Sequence, residues 1–345
     1  MCVLKLLLAI PTKFVGNMTI ALAAIRAALD SGHDVTLLID DNFTDLVRLA
    51  IGDEPRVISY PRRELAQGST WVRAKHYLRF IWQLRRNKYD TALDLDGTVV
   101  SARLVGLVRA GVKMGPAFTS RTRTYQQLVP VNHLTQHCFD DYADMLRPLG
   151  ILVPSAHYLN LPTSPEVPTV TKKLGLDASR PIAVIHPSAS AGKEYKQWSL
   201  ARFAELTNWL DGVGWQVVIV GAGSAEQVRV EQLLEQTAAT VVNACNQLSI
   251  TELAALCQAA TVFVGNDSGP MHVATAAGCQ IIALFGPSDS VRWNPKGPHV
   301  TVVRGVLPCG ARCASERCDL SYQCMTSLTL KQVQAAVADL QLPFR

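Results

Sequence analysis

The feature that most restricts this chain is a repeated one: short, almost wholly apolar runs that stop at Gly, Ser, Asp or Pro, separated by segments of helix length. In the first half the runs are VLKLLLAI (3–10), DVTLLI (34–39), RVISY (56–60) and DTALDL (90–95). Helical segments start between them near Asn17, Asn42 and Ser69, and others follow near Thr98 and His133. The second half repeats the scheme with PIAVIHPS (181–188), WQVVIVGAG (215–223), ATVV (239–242), ATVFVGND (260–267) and QIIALFGPSD (280–289). An apolar run without alternation is a strand covered on both faces, and strands alternating with helices build a parallel sheet. The fold class predicted is α/β. Ligands of such sheets bind outside the carboxyl ends of the strands, so two sheets facing one another would enclose a binding cleft.

With 345 residues the chain is about twice the size of a common single domain, and 48% apolar residues supply two cores. The segment NLPTSPEVPTVTKK (160–173), with three prolines and little periodicity, is the expected linker. The domains are then 1–160, a linker at 161–173, and 174–330, with a C-terminal helix over 331–345 placed to pack back on the first domain. No apolar run approaches the roughly 18 residues of a membrane span. The start, MCVLKLLLAIPTK, is interrupted by Lys5 and has no small-residue cleavage site, so it reads as a first strand rather than a secretory signal, and a cytoplasmic location is expected. The net charge of +5 is confined to one half: 19 Lys and Arg face 14 Asp and Glu before residue 160, and 14 face 14 after it. That surplus suits an anionic partner of the first domain. It lacks the dense basic patterning of a nucleic-acid binder.

The segment GNDSGPMH (265–272) follows the strand-like TVFV and opens a helix, with Pro270 suited to its first turn and Gly278 to its end. The backbone N–H groups near Ser268 and Gly269 then lie at the positive end of that helix, which favours a phosphate. Asp267 would repel a diphosphate, so it caps the helix or accepts hydroxyls from what the phosphate carries. A plain capped turn without a ligand is the alternative. HPSASAGKEYKQW (186–198) places Ser188, Ser190, Lys193 and Lys196 after a strand end, either as an anion cradle or as solvated loop residues. GAGSAE (221–226) begins like a dinucleotide fingerprint but has Glu226 where the third glycine belongs. Glu226 can accept hydrogen bonds from ribose hydroxyls or stand in solvent at a helix start.

Cys309, Cys313, Cys318 and Cys324 fall within sixteen residues, CGARCASERCDLSYQC. In a cytoplasmic chain such clusters bind metal more often than they form disulfides, so a structural zinc or iron site is one reading and free thiols the other. Cys2, Cys138, Cys245, Cys257 and Cys279 sit in apolar runs and are expected in cores. STWVRAKHYLRFIWQLRRNKYD (69–90) joins Arg73, Lys75, His76, Arg79, Arg85, Arg86 and Lys88 to Trp71, Phe80, Ile81 and Trp82. It is an amphipathic helix with a solvated basic face, or a surface for anionic lipid or acceptor.

Taken in order, HPSAS…KQW, GAGSAE, LSITELAALCQAATVFVGNDSGPMHVATAAG and ALFGPSD resemble the C-terminal domain of glycosyltransferase family 9, the bacterial ADP-heptose:lipopolysaccharide heptosyltransferases. In the first half, YDTALDLDG (89–97) is similar to the family's YDxxIDLQG. The resemblance implies a GT-B architecture: two Rossmann-like domains with parallel sheets facing a central cleft, the second holding the sugar nucleotide and the first the acceptor. It implies ADP-heptose as donor and an anionic glycolipid such as the lipopolysaccharide inner core as acceptor, with peripheral contact at the inner membrane. Another nucleotide sugar, a protein acceptor, or a non-catalytic binding or scaffolding role are the alternatives. Ser188, Ser190 and Lys196 would contact the phosphates, Ser268 and Gly269 would hold the diphosphate, Asp267 and His272 would face sugar hydroxyls, and Glu226 the ribose. Lysine and helix N-termini would stabilise the departing nucleotide without a metal, so the DxD-like Asp94–Asp96 is discounted as a metal site. A cysteine-bearing loop in this position also resembles family members.

Inverting transfer needs a general base on the acceptor hydroxyl. The family's aspartate follows the glycine of the first strand-to-helix loop, but here Gly16 is followed by Asn17, and an amide cannot take that proton at neutral pH. Either the base lies elsewhere, or the acceptor supplies a carboxylate, or the protein binds without catalysing. Asp96, where the family's DLQG has Gln, is the candidate base; its alternative is the N-cap of the helix starting near Thr98.

Overall fold

The computed structural model describes residues 3–190, 192–310, 313 and 316–340. The chain divides into two compact units between Leu159 and Asn160. In the first, β1 (Lys5–Ile10), β2 (Asp34–Asp40), β3 (Arg56–Tyr60), β4 (Lys88–Asp94), β5 (Arg109–Pro116) and β6 (Gln127–Val129) form a sheet of order β3-β2-β1-β4-β5-β6. In the second, β7 (Ile182–His186), β8 (Gln216–Ile219), β9 (Val241–Asn243), β10 (Val262–Asn266), β11 (Gln280–Phe285) and β12 (Val300–Arg304) are ordered β12-β11-β10-β7-β8-β9. Every pairing is parallel. Counted from its own first strand, each sheet has the order 3-2-1-4-5-6, so the α/β, Rossmann-like expectation is met in both units. The order reverses between β1 and β4 and again between β7 and β10, which is where such sheets open a ligand crevice.

The second sheet shows why its strands are apolar throughout. Ala183 and Ile185 pack on one face with Trp198 and Phe203, while Ile182 and Val184 pack on the other with Phe263 and Met271. In the first unit Leu7, Ala9 and Ala92 meet Phe80 and Leu84 from the helix Thr70–Arg86. Three strands, β5, β6 and β12, have no counterpart among the sequence runs. In β5 only the last three residues are buried, and β6 and β12 are sheet edges, so neither two-sided burial nor an apolar run was required of them.

Two boundary expectations need correction. The supposed linker docks on the second unit: Leu161 N–H donates to Ala276 O at 2.8 Å, and Val167–Lys173 is a helix whose Val170 is fully buried. Pro168 sits in its first turn, where proline is tolerated, and Val167, Val170 and Leu174 provide the helical spacing. The C-terminal helix spans Leu330–Ala338, and its Val333 and Val337 enter the core of the second unit rather than the first; residues 341–345 lie outside the described ones. Cys138, Cys245, Cys257 and Cys279 are buried, as expected, and Cys2 lies outside the described residues. Among the described residues no helix is long and apolar enough to cross a membrane.

Candidate active site

The loops leaving β7 and β10 flank the strand reversal of the second sheet, and one buried amide joins them. Asn266 accepts the Trp198 N–H at 2.9 Å and donates to Pro187 O at 3.0 Å and Ser188 O at 3.1 Å. Arg229 adds two donations from the other side, to Pro187 O at 2.8 Å and Trp198 O at 2.7 Å, and burial lowers its pKa to about 10. The segment from His186 to Trp198 is therefore held at both ends. Within it Lys196 reaches Asp267, Nζ to Oδ2 2.7 Å. Ser188 is buried, and its Oγ has no hydrogen-bond partner among the described residues. Ser190 is exposed.

Gly269–Ala276 forms the helix that the turn residues predict, with proline in its first turn. Ser268 occupies the N-cap position in extended conformation, yet its side chain makes no cap hydrogen bond. Its Oγ lies 3.0 Å from His186 Nδ1 instead. His186 Nε2 is 3.1 Å from Glu226 Oε2, which also accepts the Ala222 N–H at 2.8 Å. Burial works to raise the Glu226 pKa, but the hydrogen bonds from His186 and the Ala222 N–H work against it, and the carboxyl lies below its usual range. Gly221 makes room for this contact, because a Cβ there would lie 3.3 Å from Glu226 Oε2. His272 is buried within the helix; burial is the main force lowering its pKa to about 4, so the ring is neutral at physiological pH. Lys196, Asp267, Ser268 and Glu226 are thus joined in hydrogen-bonded sets at one sheet edge, with Gly269 opening the adjoining helix. His186, Arg229 and Asn266 were missed by sequence reasoning, although His186 and Asn266 stand at strand ends inside the two motifs.

In the first unit the corresponding edge is acidic. Asp94 is fully buried and accepts from the N–H groups of Asp96 and Gly97, both at 2.9 Å, and from Tyr125 Oη. Asp96 is half-buried and accepts from Thr98 Oγ1 at 2.8 Å. Its pKa is pushed up to about 6, mainly by burial and further by Asp94, against the pull of Thr98 and Arg62. The helix after it, Val99–Leu107, is capped by Thr98, so capping does not fall to Asp96. Gly97 adopts φ +65°, and a Cβ there would lie 2.6 Å from the Pro116 ring. Asn17 lies in the first turn of Val15–Asp30, after β1, the strand that pairs with β4 ahead of Asp96. Arg62, also missed, pairs with Asp40 and donates to Pro11 O at 2.8 Å beside the end of β1.

The helix Thr70–Arg86 turns Phe80 and Leu84 inward. On the other side Trp71, Leu78 and Trp82 are 87%, 68% and 60% exposed. Lys75, Arg79, Arg85 and Arg86 share that side at the 3.6-residue spacing, and the helix carries no acidic residue. Cys309, Cys313, Cys318 and Cys324 border one cavity in the second unit. Burial and the neighbouring thiols raise the Cys324 pKa. Among the described residues no group of three or more His, Cys, Asp or Glu side chains is arranged to hold a metal ion. The geometry therefore lends the expected metal set no support.

Several solved structures share this fold. Escherichia coli ADP-heptose lipopolysaccharide heptosyltransferase II is 21% identical, with a TM-score of 0.77 and 97% of each chain covered. E. coli heptosyltransferase WaaC with ADP is 20% identical, with a TM-score of 0.74, covering 97% of this chain and 99% of that one. In sequence, lipopolysaccharide heptosyltransferase 3 of E. coli K12 is 28% identical over 238 residues, 66% of this chain and 67% of that protein. The profile of glycosyltransferase family 9 (heptosyltransferase) matches residues 77–322, well over half of the chain, and the chain belongs to that family.

Proposed function

We propose that the chain is an inverting glycosyltransferase that moves a heptose from ADP-heptose to an anionic glycolipid acceptor of the lipopolysaccharide inner-core type. The observation that carries this reading is the Lys196–Asp267 pair beside a helix N-terminus whose serine makes no cap bond. A helix start left uncapped by its serine, beside a lysine, suits a diphosphate, and charge collecting on departing ADP would be stabilised there without a metal. Ser188 and Ser190 contact phosphate, Asp267 and His272 meet hydroxyls of the transferred sugar, and Glu226 meets the ribose. The names of the related enzymes, which act on lipopolysaccharide, and of the solved structure that contains ADP support the choice of substrates.

Asp96 takes the proton of the acceptor hydroxyl. A carboxyl with a pKa of about 6 is largely ionised at neutral pH and more basic than an ordinary aspartate. The exposed basic and aromatic side of Thr70–Arg86 supports peripheral attachment at the cytoplasmic face of the inner membrane, where cations meet anionic headgroups and tryptophans the interface. A structural zinc or iron ion at the four cysteines would have to bring them into a set they do not form here; metal analysis of untagged protein, with less than about a tenth of an equivalent, removes it.

Thermal shift against ADP-, GDP- and UDP-sugars tests the donor. A donor at 100 times its Kd adds about 2.7 kcal/mol of stability. No response to any of them removes the reading, and a response to GDP- or UDP-sugars alone changes the nucleotide. A second reading, nucleotide-sugar binding without transfer, is favoured by Asn17, whose amide cannot act as a base; donor-dependent stabilisation with no ADP release in the presence of acceptor would establish it.

A further inference from the structure

Three side chains from three elements form one hydrogen-bonded chain at the proposed donor edge, and its middle member is fully buried. His186 ends β7 and is fully buried. Its Nδ1 meets Ser268 Oγ at 3.0 Å, and its Nε2 meets Glu226 Oε2 at 3.1 Å. Ser268 is the N-cap residue of Gly269–Ala276, and Glu226 lies in the first turn of Ser224–Glu235.

The chemistry assigns directions along this chain. Ionised Glu226 can only accept, so Nε2 carries a proton toward it. In a neutral ring Nδ1 is then the acceptor, and the Ser268 hydroxyl donates to it. This explains the missing cap bond. A serine at this position ordinarily turns its oxygen onto the N–H groups of the first helical turn. Here the hydroxyl is drawn away, and those N–H groups are left for an anion. The same ring, through its other nitrogen, fixes the carboxylate of a separate helix.

We propose that His186 is a positioning residue that sets the spacing between the diphosphate-binding helix start and the ribose-binding carboxylate, so that one nucleotide is gripped at two points by a single buried ring. The proposal rests on the donor reading of this edge. It distinguishes His186 from a core histidine satisfied by chance, because a packing role would not make Ser268 and Glu226 depend on it in ligand binding.

Double-mutant cycles read by titration calorimetry with ADP as the probe test it. His186→Ala should weaken ADP about tenfold or more, as expected for leaving a buried partner unpaired. His186→Ala combined with Glu226→Ala, or with Ser268→Ala, should lie within about twofold of the weaker single variant, since each pair acts as a unit. Losses that multiply, or an unchanged Kd in His186→Ala, overturn the proposal. If the alanine variant does not fold, His186→Gln, whose amide can still donate toward Glu226, takes its place: loss of ADP affinity that does not multiply with Ser268→Ala supports the proposal, and multiplication overturns it. Absence of ADP binding by the unaltered chain removes the donor reading and this proposal with it, whereas multiplicative losses remove this proposal alone.

Discussion

The two sheets of this protein have the same strand order and the same parallel register, yet their carboxyl edges are built on opposite plans. In the second unit the loops after β7 and β10 are stapled by Asn266, by Arg229 and by the Ser268–His186–Glu226 chain, and the lysine there has a carboxylate partner. In the first unit the same edge gathers carboxyls that burial makes reluctant to ionise, Asp94 and Asp96, and Asp41, whose pKa burial also raises to about 6. A fold that repeats itself does not repeat its chemistry. On the proposed reading, one edge holds fixed negative charge and the other exchanges a proton.

The largest expected effect comes from the stapled edge. Lys196→Ala should lower turnover by about 10²–10³, the range for removing one group that stabilises developing charge, and should weaken ADP as well, because it leaves Asp267 buried without its partner. Turnover that survives with ADP affinity alone reduced would make Lys196 a binding group only. Asp96→Asn should behave differently: turnover falls about 100-fold while donor affinity stays within about twofold. Turnover of the unaltered chain should fall as pH drops through about 6, where the raised Asp96 takes up its proton, and this acidic limb should vanish in the variant. Near-normal turnover by Asp96→Asn would discard this base, and a large gain from Asn17→Asp would return the role to the first loop. Smallest is the effect on the outer face of the first unit. Arg85→Glu with Arg86→Glu should weaken binding to anionic vesicles by about thirtyfold, on the order of 2 kcal/mol for two lost cations, with ADP affinity unchanged. Vesicle binding that does not respond would return Thr70–Arg86 to a merely solvated face.

The same contrast explains what could be read from the sequence. Strands covered on both faces announced themselves as apolar runs, and the β10 turn was legible because Ser268, Gly269 and Pro270 act within a few residues of one another. The edge strands β6 and β12 carried no such signature. The helix Val167–Lys173 was hidden by its prolines, although Val167, Val170 and Leu174 carried the helical period. In the proposed donor site the groups expected to touch the ligand lay inside recognisable motifs, whereas the groups that hold them did not announce their partners. Trp198 and Asn266 are 68 residues apart, and His186 and Ser268 are 82. Local periodicity carries no trace of such pairings. Arg62 was invisible for the same reason, since its meaning lies in Asp40 at the end of β2 and Pro11 just after β1.

The amide of Asn266 has a consequence for the energetics of nucleotide capture. With one side chain bound to Trp198 N–H, Pro187 O and Ser188 O, the two ends of the loop after β7 take their places as the chain folds rather than when a nucleotide of the proposed kind arrives. Their conformational entropy is lost in folding, so binding need not order them again. On the proposed donor reading the held loop ends discriminate by fit: a nucleotide with different phosphate spacing meets ends that are already set.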